Sequence, residues 1–271
     1  MNAHAKKLCQ FFTPLWVAEA LVERHFPKLD IADLVIEPSC GEGSFLKAIP
    51  SHVPAIGVEI DPQVAVVARE ETGREIICGD FRTIQIDVQP TAIIGNPPFI
   101  MDTIDGFLER AHQMLPDGGR AGLILPAYGM QTAQRVAGYN ERWSITAEMI
   151  PRNVFTRLRE PLVFAVFSKD RRRVLVGLAL YNEAADVKGL AKPYKEALSG
   201  TRGSMWKTVC RVALERLGGE ADLVAIYAEI EGNRPSRTQF WREKIRQTLR
   251  EYADCFRVVA TGRYALAGGN A

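Results

Sequence analysis

At 271 residues, with 47% hydrophobic and 24% charged residues, the chain is large enough for one sizeable globular domain and a smaller one. Its formal net charge of +2 favours no class of partner, so any basic binding surface must be local. The five cysteines form no Cys-x-x-Cys pair and indicate neither a zinc site nor a disulfide framework. No apolar run approaches the roughly 18 residues of a membrane span. We therefore expect a cytoplasmic protein without a metal.

An aromatic segment precedes the first predicted helix. Phe12-Thr13-Pro14 stands before a helix predicted from residue 15 to residue 25, and a proline suits the first turn of a helix. On its own, this segment could equally be an aromatic arm that caps the core.

A glycine loop follows the first predicted strand, residues 34–36. It runs from Glu37 through Pro38, Ser39, Cys40 and Gly41 to Gly43. Glycines between a strand and a helix allow a tight turn and the close approach of a ligand to the positive end of the helix. Gly-x-Gly alone can also be a plain turn, and the loop has neither the Walker lysine nor the third glycine of the dinucleotide fingerprint. The acidic Glu37 suits a cationic ligand better than a pyrophosphate.

Acidic residues end the next two predicted strands. Glu59, followed by Ile60, is placed to accept hydrogen bonds from two ribose hydroxyls, whereas Asp61 is predicted to cap the next helix. Asp80 could accept a hydrogen bond from an adenine amino group while Phe81 packs on the base.

The tetrapeptide Asn96-Pro97-Pro98-Phe99 follows a fourth apolar strand, predicted over residues 92–94. Proline fixes φ and has no amide hydrogen, so the strand must stop there. An amide oxygen, a backbone carbonyl and an aromatic ring at a strand's carboxyl end could hold a planar ring that carries an amine. Asn-Pro-Pro also occurs as a simple turn, but four consecutive strand ends with such groups indicate a binding site.

The last quarter of the chain predicts a separate domain. Three helices and a β-hairpin within 205–271 are typical of a winged helix-turn-helix domain, whose third helix enters the major groove. Residues 186–204 are predicted to be a linker. Eleven basic residues against eight acidic ones from residue 204 onward leave protein binding open as an alternative. The candidate DNA contacts are Arg237, Gln239, Arg242, Arg246 and Arg263.

The motifs resemble those of the gamma-class DNA N6-adenine methyltransferases, which use S-adenosylmethionine. In that family Phe-Thr-Pro, an acid-Gly-x-Gly loop and Asn-Pro-Pro-aromatic occur in this order before the target-recognition region. The resemblance covers about residues 8–180 and weakens at the C-terminus, where the family's recognition region is usually larger and less regular. It implies an α/β, Rossmann-like methyltransferase fold over 1–185, with a mostly parallel seven-stranded sheet flanked by helices. A small α+β winged helix domain would follow over 205–271.

The resemblance also implies roles for the matching residues. Thr13 and the glycine loop would hold the methionine end of the cofactor, and Glu59 and Asp80 its ribose and adenine. Phe155, which could otherwise be a core residue, resembles the aromatic that stacks with Phe99 on a flipped base. The implied cofactor-binding residues are Phe12, Thr13, Glu37, Pro38, Cys40, Gly41, Gly43, Glu59, Ile60, Asp80, Phe81 and Asn96.

The implied reaction is site-specific methylation of adenine N6 in double-stranded DNA. The Asn96 side-chain oxygen and the Pro97 carbonyl would accept the two N–H groups of the amine, with Pro98 and Phe99 completing the catalytic motif. Another planar amine (cytosine N4, an RNA base or a protein glutamine) is an alternative substrate, and a DNA-binding regulator with an inactive core is a further alternative. A homodimer on a palindromic site and a cognate restriction endonuclease are the expected partners. The resemblance also implies a protein of bacterial or phage type that is associated with the nucleoid.

Overall fold

The chain divides into two compact units, Met1–Ala179 and Leu180–Ala271. Both are seen in a computed structural model. The residues it describes are 13–155, 160–178, 181–199, 204–236 and 238–267. Two predicted site residues, Phe12 and Arg237, lie outside them.

Within the described residues, the first unit is built on one sheet of eight strands. They are β1 (Val35–Glu37), β2 (Ala55–Glu59), β3 (Glu75–Cys78), β4 (Ala92–Gly95), β5 (Arg120–Pro126), β6 (Ser144–Ile150), β7 (Leu162–Ser168) and β8 (Leu175–Val176). Their order is β3-β2-β1-β4-β5-β7-β6-β8, and only β7 runs antiparallel to its neighbours. The predicted mostly parallel sheet is confirmed, with one strand more than the seven predicted. The added β8 is a two-residue edge strand.

Helices flank this sheet and follow from local signals in the sequence. They are α1 (Leu15–His25), α2 (Ser44–Ala48), α3 (Pro62–Thr72), α4 (Met101–Met114) and α5 (Ala133–Asn140), with 3-10 turns at Ala127–Met130 and Arg152–Val154. As predicted, Asp61 caps α3, because its side chain accepts a hydrogen bond from the Gln63 amide at 2.9 Å. The helix ends at Gly73, which has the left-handed φ of 64° that favours glycine.

The second unit combines helices with a small antiparallel sheet. Its elements are α6 (Tyr181–Gly189), α7 (Lys192–Ser199), α8 (Met205–Arg216), β9 (Glu220–Asp222), α9 (Leu223–Glu231), α10 (Trp241–Glu251), β10 (Phe256–Ala260) and β11 (Arg263–Leu266). The predicted three helices and hairpin are present as α8, α9, α10 and β10–β11, and β9 pairs with β11 as a third strand. Trp241, Ile245 and Leu249, spaced at helical intervals, bury one face of α10.

Within the linker predicted over 186–204, the described residues from 186 to 199 belong largely to α6 and α7. Tyr194 is fully buried in the core of the second unit, and its hydroxyl donates to Glu229 Oε1 at 3.0 Å. The amide of Ala191 donates to Asn233 Oδ1 at 3.0 Å. Few residues of this stretch are apolar, so its composition resembles a linker although Tyr194 anchors it.

Two kinds of feature are not found among the described residues. None of their helices has the length and apolar character that a membrane span requires. They also contain no group of three or more His, Cys, Asp or Glu side chains arranged to hold a metal ion.

Candidate active site

A cavity lies at the carboxyl ends of β3, β2, β1 and β4, where open α/β sheets place their ligands. The motifs found in the sequence therefore meet at one edge of the sheet. The predicted cofactor-binding residues that line the cavity are Thr13, Glu37, Pro38, Cys40, Gly41, Glu59, Ile60, Asp80, Phe81 and Asn96. The predicted catalytic residues Pro97, Pro98 and Phe99 line it as well.

Gly43 is not in the wall of the cavity; it shapes the loop. Its φ of 81° lies in the left-handed region, and it stands immediately before the first residue of α2. A Cβ atom at Gly43 would come within 2.3 Å of Thr72 Cγ2. The glycine is therefore required by the turn and by the packing of the loop against α3.

Glu59 links the glycine loop to the end of β2. Its Oε2 accepts a hydrogen bond from the Gly41 amide at 2.9 Å, and its Oε1 accepts one from the Asp61 amide at 3.0 Å. The side chain is buried, and burial raises the pKa of its carboxyl, against the opposing effect of these two amides. Each carboxylate oxygen keeps a second lone pair, so the group can accept two hydroxyls from a ligand.

Glu37 lies deeper, at the end of β1. It is 2% exposed, and its Oε2 accepts a hydrogen bond from the Leu46 amide of α2 at 3.0 Å. Burial raises the pKa of Glu37 well above its usual value; the Leu46 amide opposes this rise and the nearby charge of Glu59 adds to it. Two acidic groups beneath one cavity favour a ligand with a positive charge.

Replacing Glu37 by Gln is expected to change how stability depends on pH. Because the folded state raises the pKa, the stabilising contribution of Glu37 is full below the unfolded value near 4.5 and is lost as pH rises through the folded pKa. The variant should have a higher melting temperature than the parent once pH rises above the unfolded value near 4.5, and the difference should grow until the folded pKa is passed. Thermal melts of the ligand-free proteins would measure this difference.

Glu71→Gln is the matched control for this prediction. Glu71 is exposed, and its bond with Lys47 Nζ at 2.8 Å lowers its pKa, so its contribution has the opposite pH dependence. A Glu37→Gln variant with the same pH profile as the parent would contradict the prediction.

Asp80, which is predicted to accept a hydrogen bond from an adenine amino group, already accepts hydrogen bonds from Arg82. Arg82 Nη2 lies 2.5 Å from Asp80 Oδ2, and this hydrogen bond holds the pKa of the carboxyl below its usual value. Arg82 also lines the cavity, although no sequence motif indicated it. Phe81 is 1% exposed and packs edge-on against Phe107 at 5.2 Å between ring centroids. A base at this end would therefore meet Asp80 and Arg82 as a pair.

The turn after β4 is held by groups from several elements. Asn96 Nδ2 donates to Thr13 Oγ1 at 3.1 Å, which joins the Phe-Thr-Pro and Asn-Pro-Pro-Phe motifs. The Ser39 hydroxyl donates to the Asn96 carbonyl at 3.2 Å. At the other end, the Tyr128 hydroxyl donates to the Phe99 carbonyl at 2.8 Å. No local sequence pattern reveals the contacts of Ser39 and Tyr128, because each joins residues that are far apart in the chain.

Phe155, predicted to stack on a base, is 6% exposed and belongs to the core cluster of the first unit. It does not line the cavity, whereas Phe99 does and also packs against that cluster. A base could reach the face of Phe155 only if this packing opened.

The predicted DNA contacts of the second unit lie near acidic partners. Arg246 Nη2 is 2.6 Å from Glu243 Oε1, and Arg263 Nε is 2.6 Å from Glu220 Oε1. Arg242 lies over the Trp241 ring, 4.9 Å from its centroid. The fourth described candidate, Gln239, is exposed just before α10.

Comparison with known proteins points to methyltransferases. No protein-family profile matches the chain. The type II methyltransferase M.CvrRI of Paramecium bursaria Chlorella virus XZ-6E is 36% identical over 96 residues, which are 33% of this chain and 24% of that protein. A tRNA (guanine(10)-N2)-dimethyltransferase of Methanothermobacter thermautotrophicus is 30% identical over 113 residues, 35% of this chain and 34% of that protein. The matches thus span about a quarter and a third of these relatives.

Solved structures define the class of fold. The M protein of the type I restriction enzyme EcoKI aligns with a TM-score of 0.51 at 16% identity, over 59% of this chain and 44% of that one. A Listeria monocytogenes chain assigned to the class I S-adenosylmethionine-dependent methyltransferases aligns with a TM-score of 0.50 at 14% identity, over 63% of this chain and 67% of that one. The chain has the Rossmann-like fold of the class I S-adenosylmethionine-dependent methyltransferases.

Proposed function

We propose that this protein is a site-specific DNA methyltransferase that transfers a methyl group from S-adenosylmethionine to N6 of adenine. The observation that carries the proposal is the Asn96–Phe99 turn, which stands at the end of β4 and lines the same cavity as Glu37 and Glu59. The similarity to a type II methyltransferase supports it.

The residues of the cavity fit S-adenosylmethionine. Two buried acidic groups, Glu37 and Glu59, suit a ligand with a sulfonium and an ammonium group, and Glu59 can accept both ribose hydroxyls. Asp80 and Phe81 would hold the adenine. When bound, the cofactor would supply a methyl group on a sulfonium sulfur, which leaves as a neutral thioether.

The chain's own contribution is to position the acceptor amine. The lone pair of an adenine amine is delocalised into the ring, so the amine is a weak nucleophile. The Asn96 side-chain oxygen and the Pro97 carbonyl accept its two N–H groups, which favours a tetrahedral nitrogen with its lone pair directed at the methyl carbon. Phe99 packs on the base, and Phe155 would join it if the core packing between them opened. Catalysis then rests on orientation and electrostatics.

An amine on an RNA base is the second candidate substrate. The similarity to a tRNA (guanine(10)-N2)-dimethyltransferase favours this alternative, because a guanine N2 is also an exocyclic amine on a planar ring. The helices and hairpin of the second unit favour duplex DNA, as a winged helix that places α10 in the major groove. Cytosine N4 and a protein glutamine remain chemically similar substrates.

The deciding experiment is to incubate the protein with unmethylated genomic DNA and S-adenosylmethionine, digest the DNA and analyse the nucleosides by mass spectrometry. We expect N6-methyladenine. N4-methylcytosine alone would contradict the base assignment, and methylation of tRNA alone would contradict the DNA assignment. Long-read sequencing of the methylated DNA would give the target site. A palindromic site would fit a homodimer and a partner endonuclease of matching specificity.

Replacing Arg246 by Ala is expected to weaken DNA binding, because the contact of its side chain with one DNA phosphate would be lost. The slope of log affinity against log salt should fall by about one, with little change between DNA sequences. Fluorescence anisotropy at several salt concentrations would measure the affinity for DNA and hence this slope. Lys47→Ala in the first unit is the control, and an unchanged slope in the Arg246 variant would argue against α10 as the DNA-binding helix.

A further inference from the structure

The two prolines of the Asn96–Phe99 turn have no amide hydrogen to donate. At the end of the turn, the Ile100 amide donates to the Pro98 carbonyl at 2.7 Å. Side chains from other elements also hold the turn.

Two hydroxyl groups hold its two ends. Ser39 donates to the Asn96 carbonyl at 3.2 Å, and Tyr128 donates to the Phe99 carbonyl at 2.8 Å. Between them, the Pro97 carbonyl accepts no hydrogen bond from any residue that the structure describes. That carbonyl is the one that the proposed reaction needs for the acceptor amine.

Tyr128 is in a good position to fix this geometry. It lies in the 3-10 turn Ala127–Met130, directly after β5, and β5 pairs in parallel with β4. This turn is itself tied down, because the Ala127 amide donates to the Pro161 carbonyl at 2.7 Å. A Cβ atom at Gly129 would come within 2.9 Å of Met101 Sδ, so the turn also lies close against the start of α4.

We propose that Tyr128 is a positioning residue for methyl transfer: through the Phe99 carbonyl it fixes the turn so that the Pro97 carbonyl faces the acceptor amine. This role rests on the proposed function. Tyr128 is 42% exposed, so the core does not depend on its hydroxyl. Its contribution is to the precision of the turn.

Tyr128→Phe removes only the hydroxyl. One hydrogen bond corresponds to about a fivefold change in rate, so we expect kcat to fall by about that factor. The KM for S-adenosylmethionine and the melting temperature should stay at the parent values, because neither depends on the hydroxyl. Tyr252→Phe, in the second unit, is the matched control and should leave kcat unchanged.

Hydrogen exchange followed by mass spectrometry gives a readout that needs no activity. The amides of Ile100 and Thr103, which donate to Pro98 and Ile100 carbonyls, should exchange up to about fivefold faster in Tyr128→Phe than in the parent. Amides of α3 should be unaffected. Unchanged exchange at the turn overturns the proposal, and so does faster exchange with an unchanged kcat. If the parent methylates no nucleic acid, the proposed function fails. The exchange measurement still decides whether Tyr128 holds the turn: faster exchange in Tyr128→Phe shows that it does, and unchanged exchange shows that it does not.

Discussion

Replacement of Asn96 by Ala is expected to lower kcat for methyl transfer by about 10²–10³-fold, the loss typical of removing one preorganised group that stabilises the transition state. The side-chain oxygen would no longer accept an N–H of the amine, which would stay planar and weakly nucleophilic. Cofactor affinity should change much less, because the residue proposed to bind the ribose is Glu59. Methyl transfer to DNA and titration calorimetry with S-adenosylmethionine would measure the two effects.

Two further variants help to distinguish a catalytic role of Asn96 from a role in supporting the turn. Asn96→Asp keeps an oxygen acceptor in the same place and should be more active than Asn96→Ala. Thr13→Val removes the hydroxyl that accepts from Asn96 Nδ2 at 3.1 Å, so it breaks the same contact while leaving the amide intact. Because Thr13 also lines the cavity, calorimetry would show how much of any loss in Thr13→Val comes from weaker cofactor binding. A kcat of Asn96→Ala equal to that of the parent would exclude the catalytic role of Asn96.

Replacement of Glu59 by Ala is expected to weaken S-adenosylmethionine binding by about 10²-fold, since two hydrogen bonds to a charged group would be lost. Glu59→Gln keeps the shape and one acceptor, so its loss should be smaller. Calorimetry on both variants measures the dissociation constants, and melting curves would show whether the glycine loop remains folded.

The affinity of the parent should also depend on pH. Burial raises the pKa of Glu59, and the ionised form is the better acceptor of ribose hydroxyls, so binding should weaken as pH falls through that pKa. In Glu59→Gln this dependence should be reduced. Glu70→Gln, on the exposed side of α3, is the control. Equal affinities of Glu59→Ala and the parent would remove Glu59 from the cofactor site.

Much of the site could be predicted because its groups follow strand ends. Glu37, Glu59, Asp80 and Asn96 each come at or just after a short apolar run, and parallel strands bring such positions to one edge. The cap at Asp61 could be predicted for a similar reason, since an acid before a proline is a local signal. These features depend on residues within a few positions of one another.

Other features depend on contacts between distant residues. The polar composition of residues 186–199 predicts a linker, whereas the burial of Tyr194 in the core of the second unit depends on long-range packing. Phe155 has a sequence context that suits stacking, yet its burial depends on what packs around it.

The sequence by itself determined the succession of strands and helices along the chain and the acidic and amide groups at the strand ends, because local periodicity encodes them. The family resemblance implied the mostly parallel sheet. Only the tertiary structure decided which other residues form hydrogen bonds with these groups. Ser39 donates to the Asn96 carbonyl across 57 positions of the chain, and Tyr128 donates to the Phe99 carbonyl across 29. The physical reason is that a hydrogen bond between residues tens of positions apart depends on how the chain folds back, which no local pattern records.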